Sequence, residues 1–401
     1  MGKREHGTWD VLLMILALTA LTTLALVCAY RAWERPPESG REKLPQLQPA
    51  EEPAGAETLA RPAAERDSLP AGEAIPTGRR DGVYTILLVG NDDGNGNTDT
   101  LILGRIDTKQ HRMDFVSIPR DTLINEPWPV RKINAVYWGD RVDGGDGITA
   151  LKRQISRLCG FTPDCYAVAD LELLARAVDC IGGVRFNVPI AMDYEDKSQD
   201  LRIHLEPGEQ VLDGEAAVGL CRFRSGYVMG DLGRIEMQQQ FLRACADQFL
   251  SLGSIPRATQ LVSLLAEGLD TDLSGANLAF FLRHFLACKE EDIHFYTAPC
   301  VPETVSGYSY VVLDLEPWLE MLNSSLNPYD SPLGPEHLDL VYRSRDGFAG
   351  TAGLRDADYY RTGSESVSVP TGATETWDGS ASASSAAAER GGGPAILVIE
   401  P

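Results

Sequence analysis

The sequence is short of basic residues, because 36 lysines and arginines stand against 58 aspartates and glutamates, for a formal net charge of -22 at pH 7. Binding to nucleic acid requires a clustered basic surface that neutralises phosphates. The acidic balance therefore argues against a nucleic-acid-binding function. It also means that any site for an anion has to be locally basic.

The cysteines show no C-x-x-C pair, so the spacing that is typical of zinc sites and redox-active pairs is absent. The seven cysteines from Cys159 onward are an odd number, which leaves at least one unpaired in a monomer. Cys159 and Cys165 are close enough in sequence to bridge a short loop, whereas buried free thiols are predicted for most of the others. The disulfide pairing stays open at this level.

Val11–Tyr30 is a long apolar run that carries no charged residue. At a rise of about 1.5 Å per residue it reaches about 30 Å, the thickness of the hydrocarbon core of a bilayer. A cleavable signal peptide is the alternative, but the run is longer than the usual apolar region of such a peptide. We predict a transmembrane helix at 11–30, a short cytoplasmic N-terminus at 1–10, and a single-pass protein of the cell membrane with its domain outside.

Two stretches lack the apolar periodicity of folded segments. Residues 31–82 are rich in Pro, Glu, Ala and Arg and predict a disordered extracellular linker. Residues 346–401 predict a low-complexity C-terminal tail, since Ser, Ala, Thr and Gly dominate most of it. One folded domain is predicted between them at 83–345, with its motifs within 84–250.

Strand-like and helix-like patterns alternate within this domain, as is typical of a layered α/β fold. The predicted strands are Tyr84–Val89, Leu101–Asp107, Arg112–Ile118, Cys165–Ala169, Val184–Val188 and Ile293–Thr297. The predicted helices are Ile148–Leu158, a helix from Asp170 to Asp179, one from Asp213 to Leu220, and Leu232–Leu250, Arg257–Glu267 and Ser274–Ala287. Asp170 and Asp213 are placed as N-caps, and Gly160 ends the first helix.

The loop Gly90–Thr100 after the first strand is dense in Asp and Asn, whose hard oxygen ligands suit a divalent cation. A calcium hand is disfavoured, because its sixth position is Thr98 instead of Gly and its twelfth is Gly104 instead of Glu. On loop statistics alone, a Gly/Asn/Asp turn that joins two strands is the favoured interpretation.

Four further clusters place basic groups where an anion can bind. Arg120 follows a strand end, where a guanidinium can hold phosphate oxygens in a bidentate way. Period-2 alternation predicts an extended segment with Arg222 and Arg224 on one side. Arg234 and Gln238 stand one turn apart on one helix face. Taken singly, each cluster is ordinary solvated surface. The clusters are Ser117–Asp121, Lys132–Tyr137, Cys221–Arg224 and Gly233–Gln238.

Taken in order, these clusters resemble the LytR-CpsA-Psr family over about Tyr84 to Gln240. The resemblance implies an α/β fold, an α-β-α sandwich with a central mixed sheet that encloses an apolar slot for a polyprenyl tail. A pyrophosphate would be held at the mouth of that slot. The matching segments are Gly90–Asp92, Asp99–Thr100, Ser117–Asp121, Lys132–Tyr137, Val178–Val184, Arg222–Arg224 and Gly233–Gln240.

The resemblance also implies the site residues. Asp92 and Asp99 match the carboxylates associated with Mg²⁺, with Mn²⁺ as an alternative ion. The implied catalytic residues are these two aspartates together with Arg120, Arg222, Arg224 and Arg234. The implied pyrophosphate-binding residues are Arg120, Lys132, Arg222, Arg224, Arg234 and, as a polar partner, Gln238.

The chain departs from the family pattern at two positions, where Asn97 and Met237 stand in place of arginines that relatives carry. Fewer guanidinium groups predict weaker anion binding, since a charge-assisted hydrogen bond contributes about 1.5 to 3 kcal/mol. The general base is left open between Asp99 and Asp121.

The implied function is transfer of a teichoic acid, or another anionic or secondary wall glycopolymer, from a polyprenyl-pyrophosphate carrier to a muramic-acid hydroxyl of peptidoglycan, which forms a phosphodiester. Two alternatives stay open: a lipid-pyrophosphate pyrophosphatase, and a non-catalytic, membrane-anchored wall-assembly or regulatory binding protein. A transcriptional attenuator is disfavoured, because the short segment 1–10 and the acidic balance offer no surface for DNA.

Overall fold

The computed structural model describes residues 35–37, 78–91, 98–196, 201–223, 231–251 and 255–361. Among these residues, no helix has both the length and the apolar character that a membrane crossing requires. The predicted span at 11–30, most of the predicted linker and residues 362–401 lie outside the described part, as do Asp92, Asn97 and Arg224.

The elements are numbered in chain order. The strands are β1 (Val83–Asn91), β2 (Thr98–Asp107), β3 (Arg112–Ser117), β4 (Cys165–Asp170), β5 (Val184–Val188), β6 (Met192–Asp196), β7 (Leu201–Leu205), β8 (Gly208–Leu212), β9 (Asp270–Thr271), β10 (Ile293–Thr297), β11 (Cys300–Val305), β12 (Tyr308–Leu313), β13 (Val341–Ser344) and β14 (Gly347–Gly350). The helices are α1 (Asn134–Val142), α2 (Ile148–Cys159), α3 (Leu171–Cys180), α4 (Gly214–Arg222), α5 (Asp231–Ser251), α6 (Ile255–Gly268), α7 (Gly275–Phe285), α8 (Leu315–Met321), followed by a π-helical turn at Leu322–Leu326, and α9 (Ala357–Arg361).

Six strands form a central sheet in the order β10-β3-β2-β1-β4-β9. Neighbouring pairs β1 with β4 and β3 with β10 are parallel, whereas β1 with β2, β2 with β3 and β4 with β9 are antiparallel. The sheet is therefore mixed, which confirms the predicted α/β class and central mixed sheet.

The apolar side chains of the sheet alternate between its two faces, because successive residues of a strand point in opposite directions. Leu87, Leu103 and Val116 are fully buried on one face, against α1, α2 and α8. Ile86 and Met113 belong to a cluster on the opposite face, where α6 and α7 cover the sheet. The described domain thus has three layers, with helices on both sides of one sheet.

Side-chain caps fix the ends of several helices. Asp170 accepts a hydrogen bond from the backbone N–H of Leu173 at 2.7 Å, and Asp213 accepts one from Ala216 at 2.9 Å. Gly160 ends α2 with a φ of 75°, a conformation that glycine adopts without strain. The predicted caps are confirmed, since such residues satisfy backbone groups that the helix itself leaves unpaired.

The predicted extended segment at Cys221–Arg224 was wrong for its first two residues. Helix α4 continues through Arg222, where the backbone N–H of Phe223 still donates to the carbonyl of Gly219 at 3.0 Å. Phe223 is extended, and Arg224 lies outside the described residues. The cap at Asp213 and the buried face of this helix stabilise it through Arg222. A period-2 pattern of only four residues is too short to indicate a strand against these contributions.

The folded domain is longer than the predicted range 83–345. At its start, Arg79 forms an ion pair with the buried carboxylate of Asp164. Within the predicted linker, the carbonyl of Arg35 also accepts a hydrogen bond from Asn277 at 2.9 Å. At its end, β14 and α9 fall inside the predicted tail, because buried polar contacts and aromatic packing hold a segment whose composition alone looks simple.

Candidate active site

The carboxyl ends of β1, β3, β4 and β10 meet at one end of the central sheet, because these four strands run in the same direction. The amino end of β2 lies there too, with Thr98 paired to Asn91. Ligands of open α/β sheets bind outside the carboxyl ends of the strands. We call this region the site end of the sheet.

Asp99 lies at the site end and gathers two arginines. Arg120 donates from Nη1 to Oδ1 of Asp99 at 2.6 Å. Arg234 places Nη1 at 3.9 Å from Oδ2 of the same carboxylate, and its Nη2 donates to the backbone carbonyl of Asp99 at 3.2 Å. Two guanidinium groups thus converge on one carboxylate, which makes this point locally basic in an acidic protein.

The three side chains differ in their access to solvent. The side chain of Arg234 is 2% exposed, whereas those of Arg120 and Asp99 are 20% and 22% exposed. A buried charge requires a close partner of opposite charge or several hydrogen bonds. Arg234 is therefore a fixed positive charge behind the site, and Arg120 and Asp99 form the part that a ligand can reach.

Helix α5 crosses the site end and contributes two glutamines after Arg234. Gln238 accepts a hydrogen bond from Thr100 Oγ1 at 3.3 Å and donates to the carbonyl of Cys221 at 3.1 Å. Arg234 and Gln238 both reach the start of β2, which confirms the predicted shared helix face. Thr100 was not among the predicted site residues, although the pair Asp99–Thr100 is one of the segments that resemble the family.

Gln239 anchors α5 to the sheet. Its Nε2 lies 2.9 Å from Ser117 Oγ, 2.7 Å from the carbonyl of Tyr296 and 3.0 Å from Thr297 Oγ1, at the adjacent ends of β3 and β10. Gln239 was not among the predicted site residues, because it lies between two other glutamines and carries no charge. Its role depends on strands that are far away in sequence.

Arg222 occupies the last turn of α4 and is half-buried. The carbonyl of its neighbour Cys221 is the one that accepts from Gln238, so the end of α4 is fastened to α5 beside the start of β2. The backbone at Arg222 therefore lies beside Gln238, which also contacts Thr100, the neighbour of Asp99. The predicted companion Arg224 lies outside the described residues.

Lys132 and Asp121 form a second charged pair, with Nζ 3.0 Å from Oδ1. Asp121 follows Arg120 in sequence, and the carbonyl of Arg120 accepts a hydrogen bond from the backbone N–H of Asn134 at 3.1 Å. The backbone N–H of Ile133 donates to the carbonyl of Thr122 at 3.0 Å. These bonds of the two residues after Lys132 hold Lys132 beside the segment that carries Arg120.

The residues around the loop 92–97 offer oxygen ligands of the kind that Mg²⁺ prefers. The side-chain oxygens of Asn91 and Thr98 are buried and have no hydrogen-bond partner within the part of the chain that the structure describes. Among the described residues no group of three His, Cys, Asp or Glu side chains is placed to hold a metal ion. Because Asp92 is outside that part, a metal site at Asp92 and Asp99 stays a prediction.

The cysteines near the site are buried thiols. Burial raises the pKa of Cys221 to about 12, so this thiol is protonated at neutral pH and is no nucleophile. The cysteines of the described residues are free, including Cys159 and Cys165, which were considered as a bridge. The prediction of buried free thiols is confirmed for Cys159, Cys165 and Cys288.

The fold and the site define an α/β domain whose arginines gather around a carboxylate at the carboxyl ends of parallel strands. Residues 56–326 match the model of the LytR_cpsA_psr family. The chain belongs to this family.

Several curated relatives carry names that describe an activity. The chain is 29% identical over 246 residues to the polyisoprenyl-teichoic acid–peptidoglycan teichoic acid transferase TagU of Oceanobacillus iheyensis, a match of 60% of this chain and 74% of TagU. It is 29% identical over 202 residues to the transferase TagV of Bacillus subtilis, which covers 47% of this chain and half of TagV. It is 25% identical over 225 residues to the regulatory protein MsrR of Staphylococcus aureus, across 55% of this chain and 66% of MsrR.

Solved structures share the fold. The crystal structure of B. subtilis TagV superposes with a TM-score of 0.53 at 22% identity and covers 63% of this chain and 100% of TagV. A structure of TagT bound to LI-WTA superposes with a TM-score of 0.50 at 19% identity, across 63% of this chain and 92% of TagT. At these identities the likeness establishes the fold alone.

Proposed function

We propose that this chain is a membrane-anchored phosphotransferase that moves an anionic or secondary wall glycopolymer from a polyprenyl-pyrophosphate carrier to a muramic-acid hydroxyl of peptidoglycan. The observation that carries the proposal is the convergence of Arg120 and Arg234 on Asp99, with the end of α4 that bears Arg222 fastened beside them. The transferase names of TagU and TagV support the enzyme class.

The proposed reaction is a phosphoryl transfer. The hydroxyl oxygen of the acceptor attacks the phosphorus that bears the glycan, and the bond from that phosphorus to the bridging oxygen breaks. The bridging oxygen leaves with the electron pair as part of polyprenyl monophosphate, and the hydroxyl proton passes to a base, Asp99 or Asp121. Negative charge grows on the leaving phosphate, and positioned cations stabilise it in the transition state.

The charged residues divide this work according to their exposure. Arg234 is buried and supplies a fixed positive potential, while Arg120 can exchange its contact with Asp99 for a phosphate oxygen. Arg222 and Lys132 would bind the outer phosphate oxygens. Loss of one such donor typically lowers the rate about 10²- to 10³-fold.

Mg²⁺, or Mn²⁺ as the alternative, would be held by Asp92 and Asp99, and when bound it neutralises charge on phosphate oxygens. The oxygens of Asn91 and Thr98 support this assignment, since both are hard ligands beside the same loop. In the structure, Asp99 contacts both Arg120 and Arg234.

The polyprenyl tail is proposed to run along the apolar side of α5. Met237, Phe241 and Phe249 of that helix belong to one apolar cluster with Phe186 of β5. This cluster begins one turn after Arg234, so a lipid lying there would place its diphosphate near the arginines. Met237 stands where the family resemblance predicts an arginine, and its side chain is buried in this apolar cluster.

The test is transfer by the full chain in vesicles, supplied with a synthetic prenyl-pyrophosphate-linked glycan and peptidoglycan, with and without Mg²⁺. Arg222→Ala is expected to abolish formation of the glycan–peptidoglycan phosphodiester while its melting temperature stays unchanged. Arg243→Ala, an exposed arginine of α5, is the matched control and is expected to retain transfer. Transfer at the wild-type rate by Arg222→Ala would refute the site assignment.

One observation favours a second candidate, a non-catalytic binding protein. Asn97 and Met237 stand where the family resemblance predicts arginines, and MsrR, which is similar to this chain, is named a regulatory protein. Such a protein would retain the prenyl-pyrophosphate lipid without releasing any product in the same assay. A pyrophosphatase would release polyprenyl monophosphate and a glycan phosphate that is not joined to peptidoglycan.

A further inference from the structure

Arg131, the neighbour of Lys132 in sequence, is a buried cation whose side chain contacts residues near the end of the folded domain. Its side chain is 2% exposed, and its Nη2 lies 2.6 Å from Oδ2 of Asp356. Its guanidinium carbon lies 3.6 Å from the centre of the Tyr359 ring, within cation–π distance. The guanidinium also lowers the pKa of Asp356 through their hydrogen bond. Both partners come from the segment 338–361, which we call the C-terminal segment.

Tyr310 connects this buried arginine to Lys132. Its hydroxyl accepts a hydrogen bond from the backbone N–H of Arg131 at 3.2 Å and shares a second with the hydroxyl of Tyr359 at 2.6 Å. The Nζ of Lys132 lies 5.9 Å from the centre of the same Tyr310 ring. Arg131 and Lys132 are consecutive, so the ring that contacts Tyr359 also contacts the site lysine.

A second group of contacts fastens the loop before Arg131 to the C-terminal segment. Asn125 donates from Nδ2 to Asp339 Oδ1 at 2.7 Å and to the carbonyl of Gly353 at 2.8 Å, and it accepts from the backbone N–H of Arg355 at 3.1 Å. Asn125 and Asp339 are both buried. Buried polar groups in such a network hold one geometry, because any displacement leaves them unsatisfied.

The match to the family model ends at residue 326, so the C-terminal segment lies beyond it. We propose that this segment positions Lys132 in the site, with Arg131, Tyr310 and Tyr359 as positioning residues. The inference rests on the proposed function for the role of Lys132 in binding the diphosphate. The contacts themselves do not depend on it.

The test compares Tyr359→Ala with Tyr359→Phe in the full chain. Tyr359→Ala is expected to raise the KM for the lipid donor about tenfold, the loss that one charge-assisted contact represents. Tyr359→Phe keeps the ring over Arg131 but lacks the hydroxyl that contacts Tyr310, so it is expected to recover only part of this loss. Phe348→Ala is the control for general weakening of the segment, since Phe348 packs against Tyr360 and Arg343 instead.

A double-mutant cycle decides whether Tyr359 acts through Lys132. In a Lys132→Ala background, Tyr359→Ala is expected to change KM less than about twofold, because the residue that it positions is gone. An equal effect in both backgrounds would overturn the inference.

A readout that is independent of activity separates this inference from the proposed function. The lysines of the detergent-solubilised full chain are methylated with ¹³C, and the Lys132 signal is identified by its loss in Lys132→Arg. The signal is expected to shift in Tyr359→Ala and to stay in place in Phe348→Ala. If it shifts in a chain that transfers nothing, the proposed function fails and the positioning role stands; if Tyr359→Ala leaves it in place, the positioning role fails.

Discussion

Gln239 is expected to be the residue that holds α5 against the sheet, and Gln239→Ala tests this role. One amide nitrogen carries two hydrogens, so it satisfies at most two of its three near oxygens at a time. Two lost hydrogen bonds, each with a net contribution of about 0.5 to 1.5 kcal/mol, and a carbonyl left without its partner give a loss of about 2 kcal/mol in the free energy of unfolding. For a domain of this size, that corresponds to a melting temperature lower by about 4 to 8 °C.

The assay is thermal unfolding of the full chain, measured in parallel with the transfer rate. Gln240→Ala is the matched control, because Gln240 is the next residue of α5 and its side chain is exposed. Gln239→Ala is also expected to slow transfer, since Arg234 is carried by the same helix. Melting temperatures of the two variants that agree within about 1 °C would show that α5 is held by apolar packing alone, and the reasoning from hydrogen bonds would be wrong.

Three further predictions concern charge. Asp99→Asn removes the carboxylate that two arginines share, so calorimetry should show inorganic pyrophosphate binding about tenfold more tightly without Mg²⁺. Unchanged affinity would show that Asp99 does not compete with the anion for these arginines. Burial lowers the pKa of His284 to about 4 from 6.5, so the unfolded chain binds the proton first and the free energy of unfolding should fall as the pH drops from 6.5 towards 4. His284→Gln should reduce this dependence of the free energy of unfolding on pH, as measured by urea titrations. An unchanged dependence would show that other groups cause it. Burial raises the pKa of Cys221 to about 12, so iodoacetamide at pH 8 should label this thiol only after unfolding, as mass spectrometry can detect.

The sequence predicted those parts of the fold that depend on local chemistry. Asp170 and Asp213 cap helices because a carboxylate can accept from backbone N–H groups two or three residues ahead, which is a relation within one short stretch. Five of the six strands of the central sheet were predicted in the same way, whereas the two-residue strand β9 was not. Arg120, Arg234 and Asp99 were placed in one site by resemblance, and the structure brings these three together.

The missed features depend on contacts between distant parts of the chain. Gln239 bonds to residues 122 and 58 positions away, and no local pattern encodes such a pairing. Arg131 and Asp356 are 225 positions apart in sequence. Asp356 lies in a segment whose Gly-rich and polar composition suggested a tail. Arg222 was assigned to an extended segment from the alternation of only four residues. So short a pattern does not outweigh a capped helix, and the helix continues through Arg222.

The arrangement at Asp99 affects how an anionic ligand would bind and leave. The carboxylate acts as an internal counter-ion, so the fold never has to hold Arg120 and Arg234 against each other without a negative charge between them. In the proposed reaction, a diphosphate that binds these arginines would displace Asp99, so its affinity would reflect the difference between the two partners. This exchange would favour release of the lipid phosphate, because Asp99 can pair with the arginines again as the product leaves.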